Sequence, residues 1–108
     1  MAVQIVQSTQ DWSKVAYPRV LRFTGAHCAP CRTSKPAYEA AASAPDLRSW
    51  ASFWECDASA QPDLAAAYGV RVVPMIFVEV ALGRVTQVAG TLSPSRLLAH
   101  LRELRDRA

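Results

Sequence analysis

Residues 27–31 have the sequence His-Cys-Ala-Pro-Cys and closely follow the apolar run Val-Leu-Arg-Phe-Thr at residues 20–24. The run predicts a β-strand, and the two cysteines fall where this strand gives way to a helix. On the first turn of a helix, the sulfur of Cys28 meets unpaired backbone N–H groups and the positive end of the helix dipole. Both favour the thiolate, which is the reactive form of cysteine. Because Cys31 lies one turn further on, the pair can close a small disulfide ring, and the stretch predicts a redox-active dithiol.

The length and composition indicate one globular domain spanning residues 1–108. Hydrophobic residues make up 51% of the chain and charged residues 19%, and a domain of this size can fold without a disulfide framework. The three cysteines are an odd number, which argues against a secreted, fully paired scaffold. No apolar run approaches the roughly 20 residues that span a bilayer, and residues 1–7 do not resemble a signal peptide. We therefore expect a cytoplasmic protein with no membrane partner.

The net charge of +3 comes from basic residues, mostly arginine, that are spread along the chain. One local cluster, at Arg102, Arg105 and Arg107, is mixed with Glu103 and Asp106. Basic residues late in a helix complement the helix dipole. The pattern therefore does not predict a nucleic-acid partner.

The order of secondary-structure elements predicts a mixed sheet. Helical connections imply parallel pairing of the early strands, and the tight connection at Gly83 implies an antiparallel hairpin. Pro36 is expected to kink the second helix, which otherwise runs to about Ser43. We expect strands at residues 4–7, 20–24, 51–56, 75–80 and 84–89, and helices at about 9–16, 28–43 and 62–68 and from 94 onward. The predicted fold class is α/β, with a mixed central sheet of about five strands and helices on both faces.

This arrangement resembles the thioredoxin family over nearly the whole chain, and the architecture it implies is the thioredoxin fold. A Cys-x-x-Cys motif alone also serves zinc sites, so the combination of several matching pieces carries the resemblance. These pieces are the Cys-Ala-Pro-Cys motif after a central strand, Pro36 five residues beyond it, Asp57 after the third strand, Val73-Pro74 before the hairpin, and Gly90 after the hairpin.

The resemblance implies a role for each cysteine of the motif. Cys28 is the attacking nucleophile, which opens a target disulfide and forms a mixed disulfide with the target. Cys31, the less exposed of the two, then attacks Cys28 and releases the reduced target. No organic cofactor is implied, because the two cysteines carry the electrons.

The resemblance also implies a substrate-binding surface beside the dithiol. The backbone of Val73 offers N–H and C=O groups to an extended substrate segment. Pro74 is expected to follow a cis peptide bond and to face the dithiol. Around the cysteines themselves, His27, Ala29 and Pro30 are expected to contact the substrate.

The activity that the resemblance implies is that of a thiol–disulfide oxidoreductase, acting mainly as a reductant of protein disulfides. Oxidising relatives usually carry His where this chain has Pro30, and that His favours the thiolate and therefore the reduced enzyme. The expected partners are proteins that contain disulfides and a reductase that recycles the dithiol. We expect the chain to be a monomer.

Several positions depart from the family pattern. Arg22 stands where these proteins usually carry a buried Asp, and Phe53 stands where they often carry a Lys; His27 and Thr24 replace tryptophans. A guanidinium stays protonated and cannot act as a base. If Arg22 points inward, it needs an anionic partner, and otherwise it extends to the surface. A nearby cation is expected to lower the pKa values of the two thiols rather than to abolish the chemistry.

Three further residues have both a functional and a structural interpretation. Asp57 is a candidate for tuning the site, although a cap on a turn or helix is the commoner role. Cys56 is a candidate regulatory thiol, but its apolar strand favours burial in the core. His27 with the three cysteines lacks the paired spacing of a zinc site, and we expect no metal.

Two other functions remain open. The first is a thioredoxin-fold binding or chaperone module with slow or incidental redox activity, which the substitutions at Arg22, Phe53 and His27 motivate. The second is a glutathione-linked relative, which is disfavoured because the sequence has no clear motif for binding glutathione.

Overall fold

The computed structural model describes residues 2–108, which form a five-stranded sheet with helices on both faces. The strands are β1 (Val3–Ile5), β2 (Arg19–Thr24), β3 (Ser52–Asp57), β4 (Met75–Ala81) and β5 (Arg84–Ala89). The helices are α1 (Thr9–Ser13), α2 (Ala29–Ser43), α3 (Pro45–Arg48), α4 (Pro62–Ala67) and α5 (Pro94–Arg107). Within residues 2–108, none of the helices combines the length and apolar character that crossing a membrane requires.

The sheet is mixed, as predicted, and its strand order is β1-β3-β2-β4-β5. Both β1 and β2 pair in parallel with β3, whereas β2 and β5 pair antiparallel to β4. Gly83 lies in the turn between β4 and β5 and has a φ of +79°, a conformation that suits glycine because it has no Cβ. The parallel register places Arg22 of β2 beside Glu55 of β3, which matters for the site described below.

One helix boundary differs from the predicted one and another matches it, and each has a local cause. The helix α1 ends at Ser13 rather than near Ala16, because the backbone N–H of Lys14 turns back to the carbonyl of Asp11 in a tight closing turn. The helix α2 ends at Ser43, since the next residue precedes a proline and adopts an extended backbone with ψ 124°.

Pro45 then starts a second short helix that the sequence did not predict. Proline suits this first helical position, because its missing N–H is not needed there. Within α2 itself, the helix continues through Pro36 to its end at Ser43.

The side chains of β2 alternate between two core clusters, one on each face of the sheet. Val20 belongs to the cluster covered by α2 and α5, which includes Tyr38 and Leu101. Leu21 and Phe23 belong to the cluster on the opposite face, which α1 and α4 cover. Arg22 shares a face with Val20, because side chains two residues apart on a strand point the same way. The side chain of Arg22 therefore points towards the first turns of α2.

Candidate active site

The two cysteines of the Cys-Ala-Pro-Cys motif are joined by a disulfide at the start of α2. Cys28 is the N-cap residue, and its Sγ accepts a hydrogen bond from the backbone N–H of Cys31 at 3.1 Å. This N–H is one of the donors that the first turn of a helix leaves unpaired. A donor aimed at sulfur stabilises negative charge there, so the geometry favours a thiolate at Cys28 once the disulfide is opened.

Cys28 is largely shielded from solvent, and Cys31 is shielded further. In the disulfide form, 9% of the Cys28 surface is exposed, compared with 5% for Cys31. The reason is that the Cys28 sulfur faces the N–H of Cys31 on one side and lies 3.7 Å from the carbonyl oxygen of Val73 on the other. Its neighbours His27, Ala29 and Pro30 are all exposed, so the motif borders the molecular surface.

The segment at Val73 and Pro74 crosses in front of the dithiol. The peptide bond between them is cis, as the resemblance implied, and the Val73 carbonyl contacts the Cys28 sulfur. Gly90 packs directly on this segment, because a Cβ at residue 90 would lie 2.5 Å from the carbonyl oxygen of Pro74. Gly25 packs less tightly, with a hypothetical Cβ 3.2 Å from Cγ2 of Val73. The two glycines allow the Val73–Pro74 segment to approach the dithiol.

Arg22 lies inside the protein, with 1% of its surface exposed. One guanidinium nitrogen, Nη1, forms an ion pair of 2.6 Å with Oε2 of Glu55. The other, Nη2, donates to the backbone carbonyl of Cys31 and, at 3.1 Å, to Oγ of Ser34. Arg22 thus connects the floor of the site on β3 to the helix that carries the dithiol.

Glu55 is the anionic partner that an inward Arg22 requires, and sequence reasoning did not identify it. The signal that could have found it is the parallel pairing of the two strands, which places residue 55 beside residue 22. Phe53, at the position where the family often has Lys, is buried and packs edge-on against Tyr38 with 5.8 Å between ring centroids. The charged pair beneath the dithiol is therefore Arg22 and Glu55.

A small open pocket of about 140 Å³ is lined both by this pair and by Cys31. Cys31, Arg22 and Glu55 contribute to its wall. The remaining lining residues are Thr24, Gly25, Arg32 and Lys35. The pocket brings Cys31 and the Arg22–Glu55 pair to one shared space.

Asp57 and Cys56 have the structural environments that the sequence favoured. The carboxylate of Asp57 accepts from the backbone N–H of Ser59 at 2.8 Å and from its hydroxyl at 2.6 Å. These hydrogen bonds lower the pKa of Asp57 below its usual value, and they show a carboxylate that caps a turn. Cys56 is completely buried, and burial raises the pKa of its thiol to about 11.

Within residues 2–108, no group of three or more His, Cys, Asp or Glu side chains is arranged to hold a metal ion. The four residues considered as a zinc set, His27 with Cys28, Cys31 and Cys56, are therefore not brought together as ligands.

Comparison with known proteins agrees with this architecture. Among solved structures, thioredoxin from Malassezia sympodialis superposes with a TM-score of 0.83 at 24% identity, covering 95% of this chain and 90% of that one. A single-substitution mutant of thioredoxin from Halobacterium salinarum gives 0.80 at 25% identity, covering 94% and 88%. Thioredoxin from Trypanosoma brucei brucei gives 0.80 at 22% identity, covering 96% and 91%.

Sequence comparison gives the same family. A Streptomyces coelicolor protein with the provisional name thioredoxin 2 is 38% identical over 60 residues, which are 55% of this chain and 42% of that protein. The chain thus matches less than half the length of this relative. The family model for thioredoxin matches residues 4–103, nearly the whole sequence. The chain therefore belongs to the thioredoxin family.

Proposed function

We propose that this protein is a thiol–disulfide oxidoreductase that reduces disulfide bonds in other proteins through Cys28 and Cys31. Membership of the thioredoxin family supports this proposal, together with the close pairing of the two cysteines. The observation that carries it is the hydrogen bond from the Cys31 N–H to the Cys28 sulfur. That bond favours the thiolate at Cys28, which is the form that attacks a disulfide.

The proposed reaction transfers two electrons from this protein to its target. The Cys28 thiolate attacks one sulfur of the target disulfide, and the other target sulfur leaves as a thiolate that takes up a proton. Cys31 loses its proton and attacks the Cys28 sulfur, which re-forms the Cys28–Cys31 disulfide and releases the second target sulfur as a thiolate that takes up a proton. The target ends as two thiols, and this protein ends as the disulfide.

The proposed substrate surface is the edge formed by the Val73–Pro74 segment and the exposed motif residues His27, Ala29 and Pro30. Because the Val73 carbonyl lies 3.7 Å from the Cys28 sulfur, an extended target chain that pairs with the Val73 backbone would pass close to that sulfur.

The proposed cycle needs a source of electrons. A reductase partner restores the dithiol after each turnover, and no organic cofactor is needed, since the sulfur atoms carry the electrons. Pro30 supports the reducing direction, because it adds no positive charge beside the thiolate. We place the activity in the cytoplasm, where thiols are kept reduced, and propose that a monomer suffices.

Reduction of insulin with dithiothreitol as electron source tests this function, because the freed B chain precipitates and scatters light. The wild-type protein should shorten the lag before precipitation, and Cys28→Ser should remove the effect. The matched control is Cys56→Ser, which alters the third cysteine and should retain the activity of every correctly folded molecule. A wild-type protein that leaves the lag unchanged would overturn the proposal.

A binding or chaperone module is the second candidate, and one surface feature favours it. An open groove of about 510 Å³ lies beside the motif and is lined mainly by apolar residues, among them Pro30, Pro36 and Leu92. Suppression of aggregation of an unfolded protein by both the wild type and Cys28→Ser, without insulin reduction, would indicate this function instead.

A further inference from the structure

We propose that the ion pair between the buried Arg22 and the partly buried Glu55 sets the reduction potential of the Cys28–Cys31 couple. Arg22 favours the thiolate of Cys31, and Glu55 limits that effect. The inference rests on the proposed redox function, and it assigns to this chain a pair of residues that regulates the same site without touching a substrate.

The contacts of Arg22 place its charge at the residue that closes the disulfide. Its guanidinium donates to the main-chain carbonyl of Cys31 and to the hydroxyl of Ser34. Its Nε is the single buried side-chain nitrogen or oxygen of residues 2–108 that lacks a hydrogen-bond partner. A buried cation that is not fully paired is unfavourable for stability, so a role in the chemistry is a reason for its presence.

Positively charged side chains outnumber negatively charged ones around Cys31. Arg22 of β2 and Arg32 and Lys35 of α2 line the pocket beside Cys31, and Glu55 is the acidic residue of that lining. Tyr38 lies beneath the guanidinium, 5.7 Å from ring centroid to Cζ. Burial raises the pKa of Tyr38 well above its usual value, so the phenol stays neutral and does not alter this balance.

The direction in which each charge shifts the reduction potential depends on which redox state of the cysteines carries charge. The disulfide is neutral, whereas the reduced protein can carry a thiolate at Cys31. A cation near that sulfur stabilises the thiolate and therefore the reduced form, which makes the couple more oxidising. A carboxylate near it has the opposite effect. Because both charges lie largely outside solvent, salt and water screen them weakly.

Two single substitutions should therefore move the potential in opposite directions. Glu55→Gln leaves Arg22 without its counter-charge and should make the couple more oxidising. Arg22→Gln removes the cation and leaves Glu55, and it should make the couple more reducing. Arg22→Lys keeps the charge and should lie closer to the wild type than Arg22→Gln does.

The measurement is the equilibrium of each variant with glutathione. Two glutathione molecules reduce the Cys28–Cys31 disulfide to two thiols and become one glutathione disulfide. We expect a shift of about tenfold in the equilibrium constant for each of the two neutral variants, or about 30 mV for this two-electron couple. The shift should be largest at about pH 9, above the ordinary cysteine pKa of about 8.5, where Cys31 can ionise.

A matched control exists in the same sheet. Arg19 and Glu79 form a second buried pair, with 3.3 Å between Nε and Oε1, at the end of β2 away from the motif. Glu79→Gln disturbs an equivalent pair, and it should leave the potential unchanged. If Arg22→Gln does not fold, the reduction potentials of Glu55→Gln and Glu79→Gln still test the proposal, because only that of Glu55→Gln should differ from the wild type.

Equal potentials for Glu55→Gln and the wild type across the pH range would overturn the inference, as would shifts of the same sign for Glu55→Gln and Arg22→Gln. Failure of the proposed function is distinguishable from both. A protein that does not reduce insulin can still have a measurable Cys28–Cys31 potential that responds to Glu55, and a reductase can have a potential that does not.

Discussion

The guanidinium of Arg22 donates a hydrogen bond to the main-chain carbonyl of Cys31, so a buried cation contacts the residue that closes the disulfide. The same guanidinium is paired with Glu55 on the neighbouring strand. A single side chain thus joins the sheet, the first turn of α2 and the dithiol. Stability and redox chemistry are expected to depend on it together.

Arg22→Met should destabilise the fold strongly. Removing one partner of a buried ion pair leaves the other uncompensated, which typically costs about 3–5 kcal/mol; we expect about 2–4 kcal/mol here, because the Glu55 side chain keeps 14% of its exposure to solvent. The free energy of unfolding in urea measures this loss. As a control, Arg102→Met removes an exposed partner of Asp46 and should change the stability little. Equal losses for both variants would contradict the buried role of Arg22.

Gly90→Ala should displace Pro74 and thereby reduce the activity of the site. The new Cβ would lie 2.5 Å from the Pro74 carbonyl oxygen, so the Val73–Pro74 segment must shift away from its place beside the dithiol. We expect a loss of about 1–3 kcal/mol in the free energy of unfolding and a slower reduction of insulin by the folded protein.

Gly83→Ala is the comparison for that substitution. It strains a residue with a φ of +79° and so also costs stability, about 1 kcal/mol. The hairpin turn is remote from the dithiol, so insulin reduction per folded molecule should be unchanged. Equal activity in the Gly90→Ala and Gly83→Ala proteins would show that Gly90 has no special role at the site.

Cys56 should be inert towards alkylation in the native, reduced protein. Burial raises the pKa of its thiol to about 11, so about one thiol in a thousand is ionised at pH 8. Iodoacetamide followed by mass spectrometry should place the first label on Cys28 and label Cys56 only after unfolding. Rapid labelling of Cys56 in the folded protein would show that the second core cluster opens readily.

Asp46 should contribute to acid sensitivity. Hydrogen bonds from Arg102 and Arg105 lower its pKa from 3.8 to about 2. A carboxyl group with a lower pKa in the folded state stabilises the fold above its unfolded pKa. That contribution should therefore be complete above about pH 5 and should disappear as the pH falls through the folded pKa of about 2.

Asp46→Asn isolates this contribution. In urea unfolding at a series of pH values, the variant should lose part of the stability difference between neutral and acidic conditions. Identical pH dependence in the variant and the wild type would contradict the assignment.

The sheet and the dithiol could be predicted because both depend on short-range patterns. Apolar runs bounded by turn residues indicated the strands, and the position of Cys28 at a helix start followed from the motif itself. The hairpin at Gly83 was equally local, since it required a residue that tolerates positive φ.

The Arg22–Glu55 pair could be anticipated only in part. Arg22 signalled a need for an anion, but Glu55 lies 33 positions away, and its charge is ordinary for a half-buried strand. Only the register between β2 and β3 identifies it. The Arg19–Glu79 pair was missed for the same reason, since its partners are 60 residues apart.

Trapping of a mixed disulfide tests the central claim most directly. Cys31→Ser cannot form the Cys28–Cys31 disulfide. After this variant is mixed with insulin whose disulfides are intact, the Cys28 sulfur should therefore remain covalently joined to an insulin chain. Mass spectrometry should find this adduct on Cys28, and Cys28→Ser should form none. No adduct with Cys31→Ser, or an equal adduct in the Cys28→Ser protein, would contradict the account of Cys28 as the attacking sulfur.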